Sequence, residues 1–295
     1  MAKNGNKRFL YYEVRERKLE MIFRKPINKE RSLSVIIIAK NEELKIIDCL
    51  KSVNWAGEII LVDNNSSDKT GEIAKKHGVK VYSFTKGSYS DWRNEGLKYA
   101  SGDWVLYVDA DERVTSKLRD EIQKLVSESF KKYSAFAIPR RNIILGKEMK
   151  YGGWWPDYVK RLFVRKKLRG WTGELHEEPE FYGELVHLQN PLLHIKHDNL
   201  SDMVEKTNIW SEVEAKLMFE ANHPKMNVSR FVSAMFREFW LRMIVQKAFL
   251  DGSKGIIYAM YQVYSRFISY AKLWELQIDK RNANIQIRAN DTNGY

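Results

Sequence analysis

The stretch Asp103-Trp-Val-Leu-Tyr-Val-Asp-Ala-Asp-Glu112 constrains this chain more than any other: an apolar, strand-type run ends abruptly in Asp109, Asp111 and Glu112. A sheet does not bury such carboxylates without compensation, and a bound cation is their natural partner. Two aspartates one residue apart at a strand end suit a divalent ion that carries a diphosphate. Hard oxygen ligands select magnesium or manganese, and phosphate oxygens complete the shell.

The segments before this run repeat one theme. Leu33–Ala39 is β-branched and precedes a helical pattern through Ile46, Ile47, Leu50 and Val53. Residues 58–62 form a second strand, ending in Asp63-Asn-Asn-Ser-Ser-Asp68. A third strand over 79–84 leads to a helix over about 88–100, and the fourth carries the acidic cluster. Strands alternating with helices of this length predict parallel pairing in a doubly wound α/β sheet. Ligands of such sheets sit beyond the carboxyl ends of the strands. The polar clusters 40–43, 63–68 and 109–112 all fall there. No Gly-rich phosphate fingerprint follows the first strand, which argues against dinucleotide oxidoreductases and P-loop enzymes.

Beyond residue 133 the predicted strands shorten, and Tyr151-Gly-Gly-Trp-Trp-Pro-Asp157 is a turn-rich aromatic segment of the kind that lines carbohydrate sites, or else an aromatic packing corner. After Asn199 the pattern is helical. Phe231, Val232, Phe236, Phe239, Trp240 and Ile244 recur at helical spacing among Arg230, Arg237 and Arg242. A second such stretch runs from Ile256 to Trp274, with Asp251-Gly-Ser-Lys-Gly255 expected as the turn between them.

Charge is unevenly spread. The net charge is +12; residues 1–31 hold ten Lys or Arg against four Asp or Glu, and so do residues 226–288. Basic ends around a nearly neutral middle suggest an anionic surface outside the site, and aromatic helices with basic edges suit a bilayer interface. The single cysteine, Cys49, excludes an internal disulfide and a cysteine-based zinc site, with a reducing, cytoplasmic setting as the default. No apolar run approaches the roughly 20 residues of a spanning helix. The expected organisation is a basic extension over 1–31, a catalytic domain over 32–199, a helical region over 200–280 and a tail over 281–295.

Four ordered motifs resemble the family 2 glycosyltransferases of the GT-A fold: Val35-Ile-Ile-Ile-Ala-Lys-Asn-Glu-Glu43, Ile60-Leu-Val-Asp-Asn-Asn-Ser-Ser-Asp-Lys-Thr70, Arg93-Asn-Glu-Gly96 and Asp109-Ala-Asp111. Trp171-Thr-Gly-Glu-Leu-His-Glu177 and the 251–255 segment resemble the subgroup that includes lipopolysaccharide-core β-glucosyltransferases. The resemblance implies a Rossmann-like mixed sheet flanked by helices. It also implies inverting transfer of a hexose from a nucleotide-diphosphate sugar, a UDP-sugar by preference, to a lipid-linked or cell-envelope saccharide, with Mg²⁺ or Mn²⁺.

Mapped by residue, the resemblance has Asp63 accepting from the base, with Lys40, Asn41 and Glu42 bordering that pocket. Arg93 neutralises the diphosphate, and Asp109 faces the ribose or a metal-bound water. Asp111 ligates the metal, with His176 beside metal or diphosphate. Trp154, Trp155 and Asp157 would face the acceptor. Glu177 is the favoured general base, with Glu178 and Asp157 as alternatives. Asn64 and Asn65 depart from the commoner pattern, in which a second carboxylate is frequent. The implied location is the inner face of the cytoplasmic membrane.

Polyprenyl phosphate as acceptor, or an inactive nucleotide-sugar-binding protein, are the alternatives. A nucleic-acid partner is disfavoured, because the positive charge lies at the chain ends while the expected cleft is acidic.

Overall fold

A computed structural model of the chain describes residues 33–127, 133–174 and 177–292, with side chains as far as residue 278. The chain begins with β1 (Leu33–Ala39), α1 (Ile46–Val53), β2 (Glu58–Asp63), α2 (Thr70–Lys76), β3 (Lys80–Ser83), α3 (Tyr89–Tyr99), β4 (Trp104–Asp109), β5 (Glu112–Val114) and α4 (Ser116–Ser127). Strands then dominate: β6 (Tyr133–Ile144), β7 (Lys147–Glu148), β8 (Asp157–Val164), β9 (Leu168–Thr172), β10 (Glu178–Phe181), β11 (Glu184–His187) and β12 (Leu192–His197). Helices α5 (Leu200–Glu220), α6 (Val228–Phe239) and α7 (Gly252–Thr292) follow, with a π-turn over Trp240–Val245 and a 3-10 turn over Ala248–Asp251 before α7.

These elements form two compact units. The first runs to Arg140 and resumes over Tyr158–His194; the second joins Arg141–Asp157 to the chain from Ile195 onward.

In the first unit the sheet runs β3-β2-β1-β4-β8-β6-β12-β5. Strands β3, β2, β1 and β4 are parallel, as the strand–helix alternation predicts; β8 then pairs antiparallel with β4, and β5 antiparallel with β12. The sheet is therefore mixed. Every residue of β1 is buried because both faces are covered. Val35 and Ile37 join Leu106 and Val108 against Ile46, Leu50 and Val53 of α1 and Leu118 and Ile122 of α4. Ile36, on the opposite face, joins Ile60, Val105, Tyr107 and Trp171. Cys49 is fully buried in the first cluster, and burial pushes its thiol up to about 12.

Register does the work of assembly. Ala39 lies opposite Asp63, and Ile38 opposite Asp109, so three adjacent strands end level and present their polar clusters together. Helix α3 crosses this layer closely: a Cβ on Gly96 would stand 2.4 Å from Ile36 Cγ2, so glycine is what permits the approach. Arg93 lies one turn earlier on the same helix.

In the second unit, β7 folds back on the end of β6, pairing Glu148 with Ile143. Asp251, buried, accepts from the backbone N–H of Lys150 (3.0 Å) and Tyr151 (2.8 Å), and Gly152 N–H donates to Gln246 O (2.8 Å). These bonds explain why 141–157 cluster with the C-terminal helices rather than with the catalytic core in which sequence analysis has them. The expected turn at 251–255 is instead the start of α7. The chain reverses at Lys247, which takes a left-handed conformation (φ 55°), and Gly255 packs where a Cβ would meet Ala248 O at 2.2 Å.

Candidate active site

The loops after β1 and β2 are laced to each other. Asn41, itself left-handed (φ 55°), accepts from Ser67 N–H through Oδ1 (2.7 Å) while its own N–H donates to Ser66 Oγ (2.9 Å). Glu42 N–H donates to Thr70 Oγ1 (2.8 Å), and Glu43 N–H to Asp68 Oδ2 (3.0 Å). Asn41 thus joins the two loops through its backbone N–H and its side-chain amide, Glu42 through its backbone N–H, and Lys40 stands exposed beside them.

Asp63 spends one oxygen on its own turn: Oδ1 accepts from Ser66 N–H (3.1 Å) and Ser66 Oγ–H (2.6 Å). Its Oδ2 accepts nothing among the described residues. Gly71 keeps the space beside it open, since a Cβ there would lie 2.9 Å from Oδ2.

The cluster after β4 is built from ions. Asp109, one-quarter exposed, accepts from Arg93 Nη2 (3.0 Å) and from Arg161. Burial alone would raise its pKa, but the Arg161 and Arg93 guanidiniums outweigh that and hold it well below the usual carboxylate range. Glu112 is wholly buried. Its Oε2 accepts from Asp109 N–H (3.0 Å), and its Oε1 pairs with Arg161 (3.3 Å) and Arg140 (3.5 Å). Glu112 is therefore a strut beneath the Asp109–Asp111 turn.

Asp111 faces His194 Nε2 through Oδ2 (3.4 Å). Burial would raise its pKa too, and the nearby His194 charge and hydrogen bond pull it below its ordinary value. Its Oδ1 accepts nothing among the described residues.

Arg93 is 1% exposed, so its charge is committed to the cluster. It donates to Glu177 Oε1 from Nη2 (2.9 Å) and Nε (3.3 Å), and its guanidinium lies over the Trp171 ring, 4.9 Å from the centroid. Arg93 Nη1 and Arg161 Nε are buried without a hydrogen-bond partner. Asn94, the next residue, clamps β9 by donating to Trp171 O (2.9 Å) and accepting from Trp171 N–H (2.8 Å). That clamp ties β9 to α3, and the Oε2 of Glu177 is free of hydrogen bonds among the described residues. Tyr89, at the start of α3, lies close enough to this cluster that burial first, then Asp109, Asp111 and Glu177, push its pKa up.

Asp109, Asp111, Arg93 and Glu177 thus come together at one strand end, with Asp63 and its neighbours at the adjacent ends. Glu178 points to another partner, Lys160, and is exposed. His176 lies outside the described residues. The aromatic expectations fall in the second unit. Trp154 packs on Tyr258 with Lys196 Nζ 4.5 Å from its ring centroid, and Asp157 accepts from Asn142 Nδ2 (3.0 Å); only Trp155 leaves its ring exposed.

Sequence reasoning missed Arg161, Arg140 and the pairing of His194 with Asp111. The one available signal was Arg161 itself, which follows Lys160 in the strand-type segment Val159–Val164, where one of two adjacent cations must face inward and buried charge requires a partner.

Among the described residues no three His, Cys, Asp or Glu side chains are placed to hold a metal by themselves. The donor set fits a different arrangement: one or two carboxylates with a shell completed by substrate phosphates, as is usual for magnesium. Asp111, with a free oxygen, suits it better than Asp109, both of whose oxygens meet guanidiniums.

The family model described as glycosyl transferase family 2 matches residues 34–178. The chain is 28% identical over 273 residues to an uncharacterized glycosyltransferase of Rickettsia typhi, covering 85% of this chain and 90% of that protein. It is 25% identical over 269 residues to the lipopolysaccharide core biosynthesis glycosyltransferase LpsC of Rhizobium meliloti, covering 86% and 96%. Among solved structures it is similar to S. aureus TarS 1–349, at 16% identity and a TM-score of 0.43, covering 85% of this chain and 92% of that one.

Proposed function

Since the chain belongs through residues 34–178 to glycosyl transferase family 2 and is a glycosyltransferase, we propose that it moves a hexose, with inversion, from a UDP-sugar to a lipid-linked saccharide of the cell envelope. The observation that carries this reading is the level ending of β1, β2 and β4, which gathers Asp63, Asp109 and Asp111 with Arg93 and Glu177.

In this reading the free Oδ2 of Asp63 accepts the base N3–H, and the loop of Lys40, Asn41 and Glu42 closes that side. Arg93, held between Asp109 and Glu177, balances the departing diphosphate through the charge it places beneath the rim. Asp109 holds Arg93 and Arg161 in place and faces the ribose. Asp111, with Asp109 near it and His176 as a further candidate, would hold Mg²⁺ or Mn²⁺, which supplies Lewis-acid neutralisation of the leaving diphosphate.

Glu177 takes the proton of the acceptor hydroxyl through Oε2, while Arg93 fixes Oε1. For the acceptor sugar the segment of Trp154, Trp155 and Asp157 stays the proposed contact, with Trp155 its exposed ring. The resemblance to LpsC supports a lipopolysaccharide-type acceptor. Such an acceptor requires work at an anionic membrane surface, and no helix among the described residues is long and apolar enough to cross a membrane.

Calorimetric titration with UDP, with and without Mn²⁺, tests the reading. Asp111→Ala is expected to abolish the Mn²⁺-dependent part of the affinity; identical affinities with and without Mn²⁺ in the unaltered protein would refute it. Glu177→Gln should keep donor binding and lower transfer by roughly 10² to 10⁴-fold. Normal turnover in that variant would move the base to Glu178 or Asp157.

A further inference from the structure

The second unit leaves a line of large apolar side chains in solvent. Val228, Val232 and Phe236 follow one another at helical spacing along α6, 79%, 64% and 60% exposed, and Trp240, Ile244 and Val245 continue through the π-turn. Single exposed hydrophobics mean little, but a contiguous stripe marks an interaction surface. Phe249 and Leu250 extend it through the 3-10 turn.

Along the stripe the exposed charge has one sign, with the exposed Glu220 and Glu275 lying beyond its Val228 end. Residues 221–274 contain only two carboxylates, Glu238 and Asp251, and neither is exposed. Glu238 is folded onto Arg242 (2.8 Å), and Asp251 is turned inward on two backbone N–H groups. Over the same span Arg230, Arg237 and Lys247 stand exposed beside the apolar residues.

We infer that α6 and the turns after it lie in the headgroup layer of a bilayer containing anionic lipid, with Phe236 and Trp240 toward the acyl chains and Arg230, Arg237 and Lys247 on phosphates. This deepens the proposed function and rests on its reading of the acceptor as lipid-borne. Only an anionic bilayer satisfies both halves of the surface. A second copy of the chain, meeting the same patch to patch, would set these cations against their own equivalents. A nucleic acid would leave the apolar stripe in water.

The test is flotation of the full chain with vesicles of phosphatidylcholine, alone or mixed with phosphatidylglycerol, alongside UDP titration and light scattering. The protein is expected to float with the mixed vesicles, less so as salt rises, and to stay behind with phosphatidylcholine alone. Removing Arg230 or Arg237 should weaken binding about fivefold each, the double reversal R230E/R237E more, and Phe236→Asp should abolish it. Melting and UDP titration should be unchanged in all of them.

Equal flotation with both vesicle types, or variants that float like the parent, overturns the inference. So does a dimer that Phe236→Asp dissociates. Should Phe236→Asp fail to fold, R230E/R237E, altered only at exposed positions, decides alone. Loss of flotation with UDP titration intact removes this surface and leaves the transferase reading standing; flotation without UDP binding does the reverse.

Discussion

The two units treat their carboxylates in opposite ways. At the end of β4 the first unit sinks Glu112 and the guanidiniums of Arg93 and Arg161, and so holds Asp109, Asp111 and Glu177 at a partly exposed rim. The second unit withdraws Asp251 and Glu238 and leaves apolar and basic side chains outside. The first arrangement concentrates negative charge where a cation or a donor proton can meet it. The second removes negative charge from a surface and makes it attractive to anions. Buried ions serve both ends, and what decides the outcome is which member of each pair keeps an edge in solvent.

Breaking the first arrangement should cost most. Arg161→Ala leaves Glu112 buried with only Arg140 beside it and takes one guanidinium from Asp109, so unfolding in urea should show a loss of about 3 kcal/mol or more. A midpoint equal to that of the parent would show that Arg140 and Arg93 suffice. In the second unit, Asp251→Ala strands the N–H groups of Lys150 and Tyr151, and thermal unfolding should report a loss of about 1–3 kcal/mol. An unchanged melt would mean that Asp251 is withdrawn without holding anything.

The smallest effect sharpens the comparison by pH. His197 is held neutral: burial first, then the Lys196 charge, lower its pKa to about 4, against the partial support of Asp202. The unfolded chain therefore binds the extra proton first. Stability from this group is complete above its ordinary pKa, near 6.5, and drains away as pH falls toward about 4. His197→Gln should flatten the stability profile in that window, and an unchanged slope would locate the dependence elsewhere.

Much of the first unit was readable in advance. β1, β2 and β4 are continuous apolar runs because both sheet faces are covered, and such runs ending in polar clusters point to a parallel sheet and its ligand edge. The charge partners were not readable, because they arrive on β6, β8 and β12. β8 and β12 take their register by antiparallel pairing across many intervening residues, so nothing near Asp111 in sequence announces that His194 will lie opposite Glu112. The acidic cluster reads in sequence as the seat of a divalent ion, and in the fold Arg93, Arg140 and Arg161 of the chain itself meet Asp109 and Glu112. The 251–255 segment misled for a local reason. Two glycines suggest a loop, whereas Gly255 serves close packing inside a helix and the reversal falls on Lys247, whose left-handed backbone no sequence rule favours.

Cys49 carries a practical consequence. The protein has one thiol, sealed under β4 with Sγ 3.6 Å from Asp109 O and a pKa near 12. Alkylating reagents and mild oxidants find no thiolate while the native packing lasts. Its labelling rate is therefore a clock, built into the chain, for how often the floor of the acidic rim comes apart.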